Sequence, residues 1–382
     1  MNFDLKEHTI LLTVAGSRAY GMHTDESDVD LKGVAIPPSK YYTGMLHSFE
    51  QADKAESMAV FLDLLNDEER RVVSETKLEG SVYEIRKFIK LAADANPNIL
   101  DALFCRDEEV RYITPLGKKL RANRDIFLSA KAKYTFSGYA MAQLKRIKSH
   151  RKWLLDPPTH MPDRAEFDLL PETSIPKNQL MVAEAAIAAK LDSWEIDFLD
   201  MPEADKIYIQ EQISSYLVEI ECTRDVNWKS AARMLNFDEN FMVILDKERK
   251  YNAAVTHWKQ YNDWLRGRNK ARAALEEKYG FDLKHGAHLF RLMTMATEIL
   301  ETGKVNVYRG GIDADKIISI RNGAMTYEDL IDWAEKQDAE LTRIYNTRIY
   351  AVPSQPPRKE IDELCQELVL RGVLDARLRL NI

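Results

Sequence analysis

Two short apolar runs flank a tight polar turn near the start of this chain, and that arrangement constrains its fold more than any other feature. Ile10-Leu11-Leu12-Thr13-Val14 gives way to Gly16-Ser17, and ten residues after Ser17 the segment Ser27-Asp28-Val29-Asp30 opens a second apolar run that ends at Pro37-Pro38. Apolar runs of this length bounded by Gly and Pro predict strands over residues 8–14 and 29–36. Side chains two apart in a strand share a face, so Asp28 and Asp30 present their carboxylates together. Like charges held that close are unfavourable without a cation between them. Magnesium takes oxygen ligands and is commonly held by a few carboxylates plus substrate phosphates. The free backbone N–H groups and the hydroxyl of Gly16-Ser17 suit a phosphate. Alone, a Gly-Ser pair is a turn and an Asp-x-Asp pair is a solvated strand edge. In the order strand, Gly-Ser, Asp-x-Asp strand, they describe a site for metal-assisted nucleotidyl transfer. Arg18 is placed to contact phosphate or base, Tyr20 to do the same or to pack, and Gly21 to turn the chain back into the second strand.

The residues from Gly16, GSRAYGMHTDESDVDLKGVAIPP, resemble the signature of the DNA polymerase β-type nucleotidyltransferase superfamily. More narrowly, the chain is similar to predicted nucleotidyltransferases named for their association with RNA ligases. YEIRKFIKLAADANPNIL from Tyr83, FSGYAMAQLKRIKSHRKWLL from Phe136 and KHGAHLFRLMTMATEIL from Lys284 fit that narrower family. The resemblance implies an α+β fold, a small mixed-sheet nucleotidyltransferase core followed by a mainly helical domain. It also implies a third carboxylate on a later strand. That strand should precede the helix EIRKFIKLAADA, where Glu79 is the acid present between Leu78 and Tyr83; Asp63 is the runner-up. Asp28, Asp30 and Glu79 would then hold two magnesium ions, for which manganese can substitute.

Composition narrows the class. A chain of 382 residues can bury one large or two ordinary cores, and 45% hydrophobic with 30% charged residues is the balance of a soluble globular protein. No apolar run is long enough to cross a bilayer, MNFDLKEHT lacks the layout of a signal peptide, and Cys105, Cys222 and Cys365 form neither a disulfide framework nor a zinc spacing. A cytoplasmic protein is the expectation. A net charge of −7 argues against a protein that coats nucleic acid, although local patches still decide contact.

The rest of the chain reads as follows. Residues 50–76 are charged and loop-like, an excursion from the core. From 83 to 104 the apolar spacing is helical, broken at Asn96-Pro97-Asn98. Between Lys131 and Lys152, basic residues interleave with Tyr134, Phe136 and Tyr139, a composition suited to a polynucleotide or to a wet helix face. Residues 178–200 and 203–222 predict two amphipathic helices, and His160 stands isolated, with no His/Cys cluster of zinc type. Lys284, His288 and Arg291 fall at i, i+4 and i+7, one helical face able to grip a phosphate or to pack against carboxylates; Arg268 and Arg272 join that reading more weakly. Thr326 with Asp329 marks a helix start, and Arg321 and Asn322 are candidates for the cleft.

These readings combine into a catalytic domain over 1–115, a helical domain over 116–350 that closes the cleft and binds acceptor, and a linker with a last helix over 351–382. The expected activity moves an NMP from an NTP to an acceptor hydroxyl, with Gly16, Ser17, Arg18, Lys284, His288 and Arg291 on the nucleotide. The family resemblance implies RNA as acceptor. A protein or small-molecule acceptor, and a catalytically silent fold that binds RNA or a partner, are the alternatives.

Overall fold

A computed structural model describes residues 3–24, 27–75, 78–173, 175–192, 235, 237–268 and 270–380. Strands β1 (Thr9–Ala15), β2 (Val29–Ala35), β3 (Gln51–Ala52), β4 (Leu78–Glu84) and β5 (Val110–Ile113) form one sheet in the order β3-β4-β2-β1-β5. The β2–β4 pair is parallel and the other neighbours are antiparallel. Period-two alternation splits β1 between two cores: Leu11 packs into one, Leu12 and Val14 into the other.

Parallel pairing of β2 with β4 requires a long crossover, and residues 36–77 supply it. The segment 50–76, expected to stand outside the core, contributes edge strand β3 and helix α1 (Asp67–Glu75). Ala52 is buried, and Met58, Phe61 and Leu65 cover one face of the sheet beside Leu12, Val14, Val29 and Leu31. The first turn of α1 carries Glu69, 2% exposed, whose carboxylate takes a two-pronged bond from Arg111 of β5.

After β4 come α2 (Ile85–Ala93) and α3 (Pro97–Phe104). Glu84 caps α2 by accepting from Lys87 N, and Asn96 caps α3, with Pro97 at the first helical position where its missing N–H costs nothing. The later helices are α4 (Pro115–Ala122), α5 (Ala132–Leu155), α6 (Lys177–Asp192), α7 (Glu239–Gly267), α8 (Lys270–Tyr279), α9 (Leu283–Thr302), α10 (Ala314–Arg321), α11 (Tyr327–Thr347) and α12 (Arg358–Leu380). The fold is α+β, as expected. None of the described helices is long and apolar enough to cross a membrane.

Contacts divide the chain into two units, Met1–Leu154 with Lys270–Ile382, and Leu155–Asn269. In the first, the sheet and α2–α5 share one continuous apolar core with α9, α11 and α12, built around Phe88, Phe127, Phe136, Leu289 and Leu292. In the second, Ile175, Leu180, Met242 and Leu245 form a small core, and Arg164 forks onto Glu248. The helix expected over 203–222 lies outside the described residues.

Candidate active site

The site begins where three strand ends meet. Ala15, the last residue of β1, pairs with Asp30 of β2, and Asp30 lies beside Glu79 in the parallel β2–β4 register. Neighbours in register share a face, so both acids project to the same side of the sheet. The chain leaves β1 through Gly16 at φ +64°, entering the single helical turn Gly16–Ala19. A Cβ on Gly16 would stand 2.5 Å from Asp30 Oδ2, so the turn packs its backbone directly on that carboxylate. Gly21 has φ +71°, and a Cβ there would meet the Tyr308 ring at 2.3 Å. Arg309 N donates to Tyr20 O at 3.0 Å, which seats the turn against the loop before α10. Arg309 itself is 1% exposed and held by Glu298 and Asp313.

A cleft of about 680 Å³ opens beside these strand ends, with Gly16, Tyr20, Asp30, Asp53, Glu79 and Asp101 among its walls. Burial first, and then the charge of Glu79, hold the Asp30 carboxyl above its ordinary range, while Lys32 and Lys284 pull it back. This is the electrostatic condition that a bound cation relieves. The donors are all carboxylate oxygens, the set that magnesium or manganese takes. Asp28 is exposed just ahead of β2, and its charge also bears on Asp30.

Other expected residues are placed differently. Ser17 is half-buried and its carbonyl accepts from Met22 N. Arg18 is 9% exposed and turns to Glu68 (Nη1 to Oε1, 2.9 Å) and to the carbonyl of Ser27, outside the cleft wall. Asp63 is exposed and held by Lys6 at 2.5 Å, also away from the cleft. Two acids on the wall were not anticipated from the sequence, Asp53 and Asp101. Asp53 follows a two-residue strand that no periodicity reveals. Asp101 did carry a signal, as the single acid inside the apolar run Ile99-Leu100-Asp101-Ala102-Leu103.

The fold brings the second constellation to the first. Arg291, on α9, is 1% exposed; its Nη1 reaches Asp101 Oδ2 at 3.3 Å and its guanidinium lies 3.9 Å from the Tyr20 ring centroid. Tyr20 OH donates to the same Asp101 oxygen at 2.7 Å. His288 Nδ1 lies 3.3 Å from Arg291 Nη2, and burial, aided by the neighbouring cations, lowers its pKa to about 3. Lys284 supplies positive charge to Asp30. Of the two readings of this helix face, Arg291 follows the packing one: it is bound to a carboxylate. His285, one position off the face, instead joins Asp282 and His150, their ligating atoms within 4.8 Å of one another. Sequence spacing showed no such cluster because His150 and Asp282 come from separate helices. Arg321 and Asn322 do not line the cleft. Arg268 lies over Trp264, and the side chain of Arg272 lies outside the described residues.

The basic-aromatic stretch divides between the core and the surface. Phe136 is fully buried in the main core and Tyr134 packs edge-on against Tyr345, so neither ring offers a surface to stacked bases. Lys131 pairs with Asp94 and Arg151 with Glu328. Lys145, Arg146, Lys148 and Lys152 are exposed, and so is Tyr139, whose hydroxyl accepts from Asn96 Nδ2 at 2.8 Å.

Residues 4–157 match the model of a family described as the RNA repair pathway DNA polymerase beta family. Over 140 residues the chain is 26% identical to a protein of Enterobacteria phage T4 described as an uncharacterized 38.9 kDa protein in the nrdC-mobD intergenic region. That alignment spans 36% of this chain and 38% of the phage protein. No solved structure matches. The family match supports the polymerase β-type nucleotidyltransferase resemblance over the N-terminal part of the chain, which holds the whole sheet, and ties it to RNA repair.

Proposed function

We propose that this protein transfers an NMP from an NTP to an acceptor hydroxyl, releasing pyrophosphate, and that the acceptor is RNA. The observation that carries the reading is the Asp30–Glu79 register pair with the Gly16 backbone packed on Asp30. Asp28, Asp30 and Glu79 are the residues that would hold divalent ions. Such ions, when bound, polarise phosphoryl oxygens and ease ionisation of a hydroxyl. Gly16 and Ser17 offer backbone N–H groups to the phosphates, and Lys284 adds positive charge at the same edge. The acceptor oxygen bonds to the α-phosphorus as the bond to the β-phosphate oxygen breaks; its proton leaves, with Glu79 as a candidate base, and the electron pair departs on pyrophosphate. Positioning and charge neutralisation carry such a transfer.

RNA as acceptor rests on the RNA-repair description of the matching family. In this division of labour residues 1–115 supply the acids and the following helices supply Lys284 and the acceptor surface. The test is transfer of label from each α-phosphate-labelled NTP into total RNA and total protein, with magnesium or manganese. Label in RNA that disappears in Asp28→Ala supports the proposal. Label in protein moves the acceptor to protein, and label in neither, with no pyrophosphate released, leaves a silent fold.

A further inference from the structure

A second group of ligating side chains lies outside the cleft wall, where the end of α5 meets the start of α9. His150 comes from α5, Asp282 is the N-cap of α9, and His285 lies in the first turn of α9. All three belong to the unit that contains the sheet. Arg151 fastens the two elements together: its Nη1 donates to Gly280 O at 3.2 Å, just ahead of Asp282, and its Nη2 to Glu328 Oε1 at 3.1 Å. Phe281 and Leu283 are buried on either side of Asp282 and anchor that turn in the core. Trp153 stacks on His150 with ring centroids 5.5 Å apart.

The Asp282 carboxylate is 3% exposed and divides between two tasks. Oδ1 accepts from His285 N at 3.0 Å and caps α9, while Oδ2 lies 3.5 Å from Nε2 of the same histidine. A ring nitrogen of His150 completes the group, the three ligating atoms lying within 4.8 Å of one another. In a tetrahedral site with bonds of about 2.0–2.1 Å, ligand atoms stand about 3.4 Å apart. The Asp282–His285 edge already has that length, and the His150 nitrogen needs to close by about 1.4 Å at most, which a side-chain rotation supplies. An ion pair would need one imidazole. A second one at the same carboxylate adds like charge if both rings are protonated, and adds a metal donor if both are neutral.

Two imidazole nitrogens select a transition ion over magnesium or calcium, which take oxygen. The surrounding charge selects in the same direction. Lys284 and Arg146 both act on the neighbouring His288, so an ion held by charge alone is disfavoured here and one held by nitrogen bonds is favoured. His150 and His285 are partly exposed, which lets water reach the open position of a three-ligand site. We propose that His150, Asp282 and His285 bind one zinc-type divalent ion, at a site separate from the acids of the cleft. The ion ties the end of α5 to the start of α9, where Lys284 stands. This site goes beyond the nucleotidyl-transfer reading and does not depend on it.

The experiment titrates the untagged full chain, freed of metal by a chelator, with cobalt(II) and then zinc, reading visible absorption. Four-coordinate cobalt with nitrogen ligands absorbs strongly, whereas six-coordinate cobalt on carboxylates and water absorbs weakly. Wild type should develop the strong absorption with one equivalent of cobalt and lose it to one equivalent of zinc. His150→Gln and His285→Gln should each weaken zinc binding, measured by competition with a chelating dye, by about 100-fold or more, since even the partners of metal ligands are worth about 10–100-fold. Asp282→Asn, which keeps a capping oxygen, should weaken it as well. Asp30→Asn should leave the absorption unchanged. Circular dichroism identifies any variant that loses its helices, and the three positions are changed separately so that the folded variants carry the test. Absence of strong absorption in wild type, or unchanged zinc affinity in the folded variants of this group, overturns the site. Absorption that survives the histidine changes and disappears in Asp30→Asn assigns the ion to the cleft and overturns it equally.

Discussion

At the scale of single residues, Gly16 is the most exposed to test. Its φ of +64° disfavours any side chain, and a Cβ would stand 2.5 Å from the Asp30 carboxylate. Gly16→Ala should cost roughly 1–3 kcal/mol in stability, read as a lowered melting temperature. It should also slow transfer more than that loss explains, because Asp30 is displaced. A variant with wild-type melting and rate would contradict the packing described. His288 makes a different prediction. Its pKa falls from 6.5 to about 3 on folding, so the fold favours the neutral ring. The stability this supplies is complete above about pH 6.5 and is lost as pH falls toward about 3. Chemical denaturation across that window should show wild type weakening relative to His288→Gln, by about 1 kcal/mol per pH unit just below the unfolded pKa. Parallel curves would show that His288 titrates normally.

Among elements, the junction of α3 and α9 is held by a charge pair that is buried on both sides, Asp101 and Arg291. Removing one partner of such a pair typically costs about 3–5 kcal/mol, because the other charge is left uncompensated. Arg291→Leu should therefore destabilise by about that amount, and Arg291→Leu combined with Asp101→Leu should recover a substantial part. Denaturant titration of both single variants and the double measures the coupling; strictly additive losses would deny it. This element pair also shows what the sequence could convey. Local signals were legible: the strand–Gly-Ser–strand order, the break at Asn96-Pro97, and the Thr326 cap, whose hydroxyl accepts from Asp329 N at 3.1 Å. Each depends on chemistry within a few residues. Asp101 meeting Arg291 depends on how two distant helices dock, and nothing local encodes that. Likewise Phe136 looked available for stacking, because its burial is decided by the helices that cover it.

For the whole molecule, the acidic edge of the sheet and the basic start of α9 belong to one unit although most of the sequence separates them. The Lys284–His288–Arg291 spacing was visible in sequence, but its division of roles was not. Lys284 faces the charge of Asp30 while Arg291 is committed to Asp101. If RNA is the acceptor, the exposed Lys145, Arg146, Lys148 and Lys152 on α5 are the nearest sequence candidates for its backbone. RNA affinity should then fall with added salt, and replacing Lys145 and Lys148 with Gln should lower the slope of log affinity against log salt by roughly 1–2. An unchanged slope would place the RNA elsewhere.

The most direct test of the central claim is the rate of pyrophosphate release from NTP with magnesium and total RNA, compared among wild type, Asp30→Asn and Glu79→Gln. The register pair predicts that Asp30→Asn loses roughly 100-fold or more and that Glu79→Gln loses at least about 10-fold. Both variants should keep the wild-type melting behaviour in the absence of metal. Wild-type rates in Asp30→Asn would contradict the assignment of this cleft as the catalytic centre.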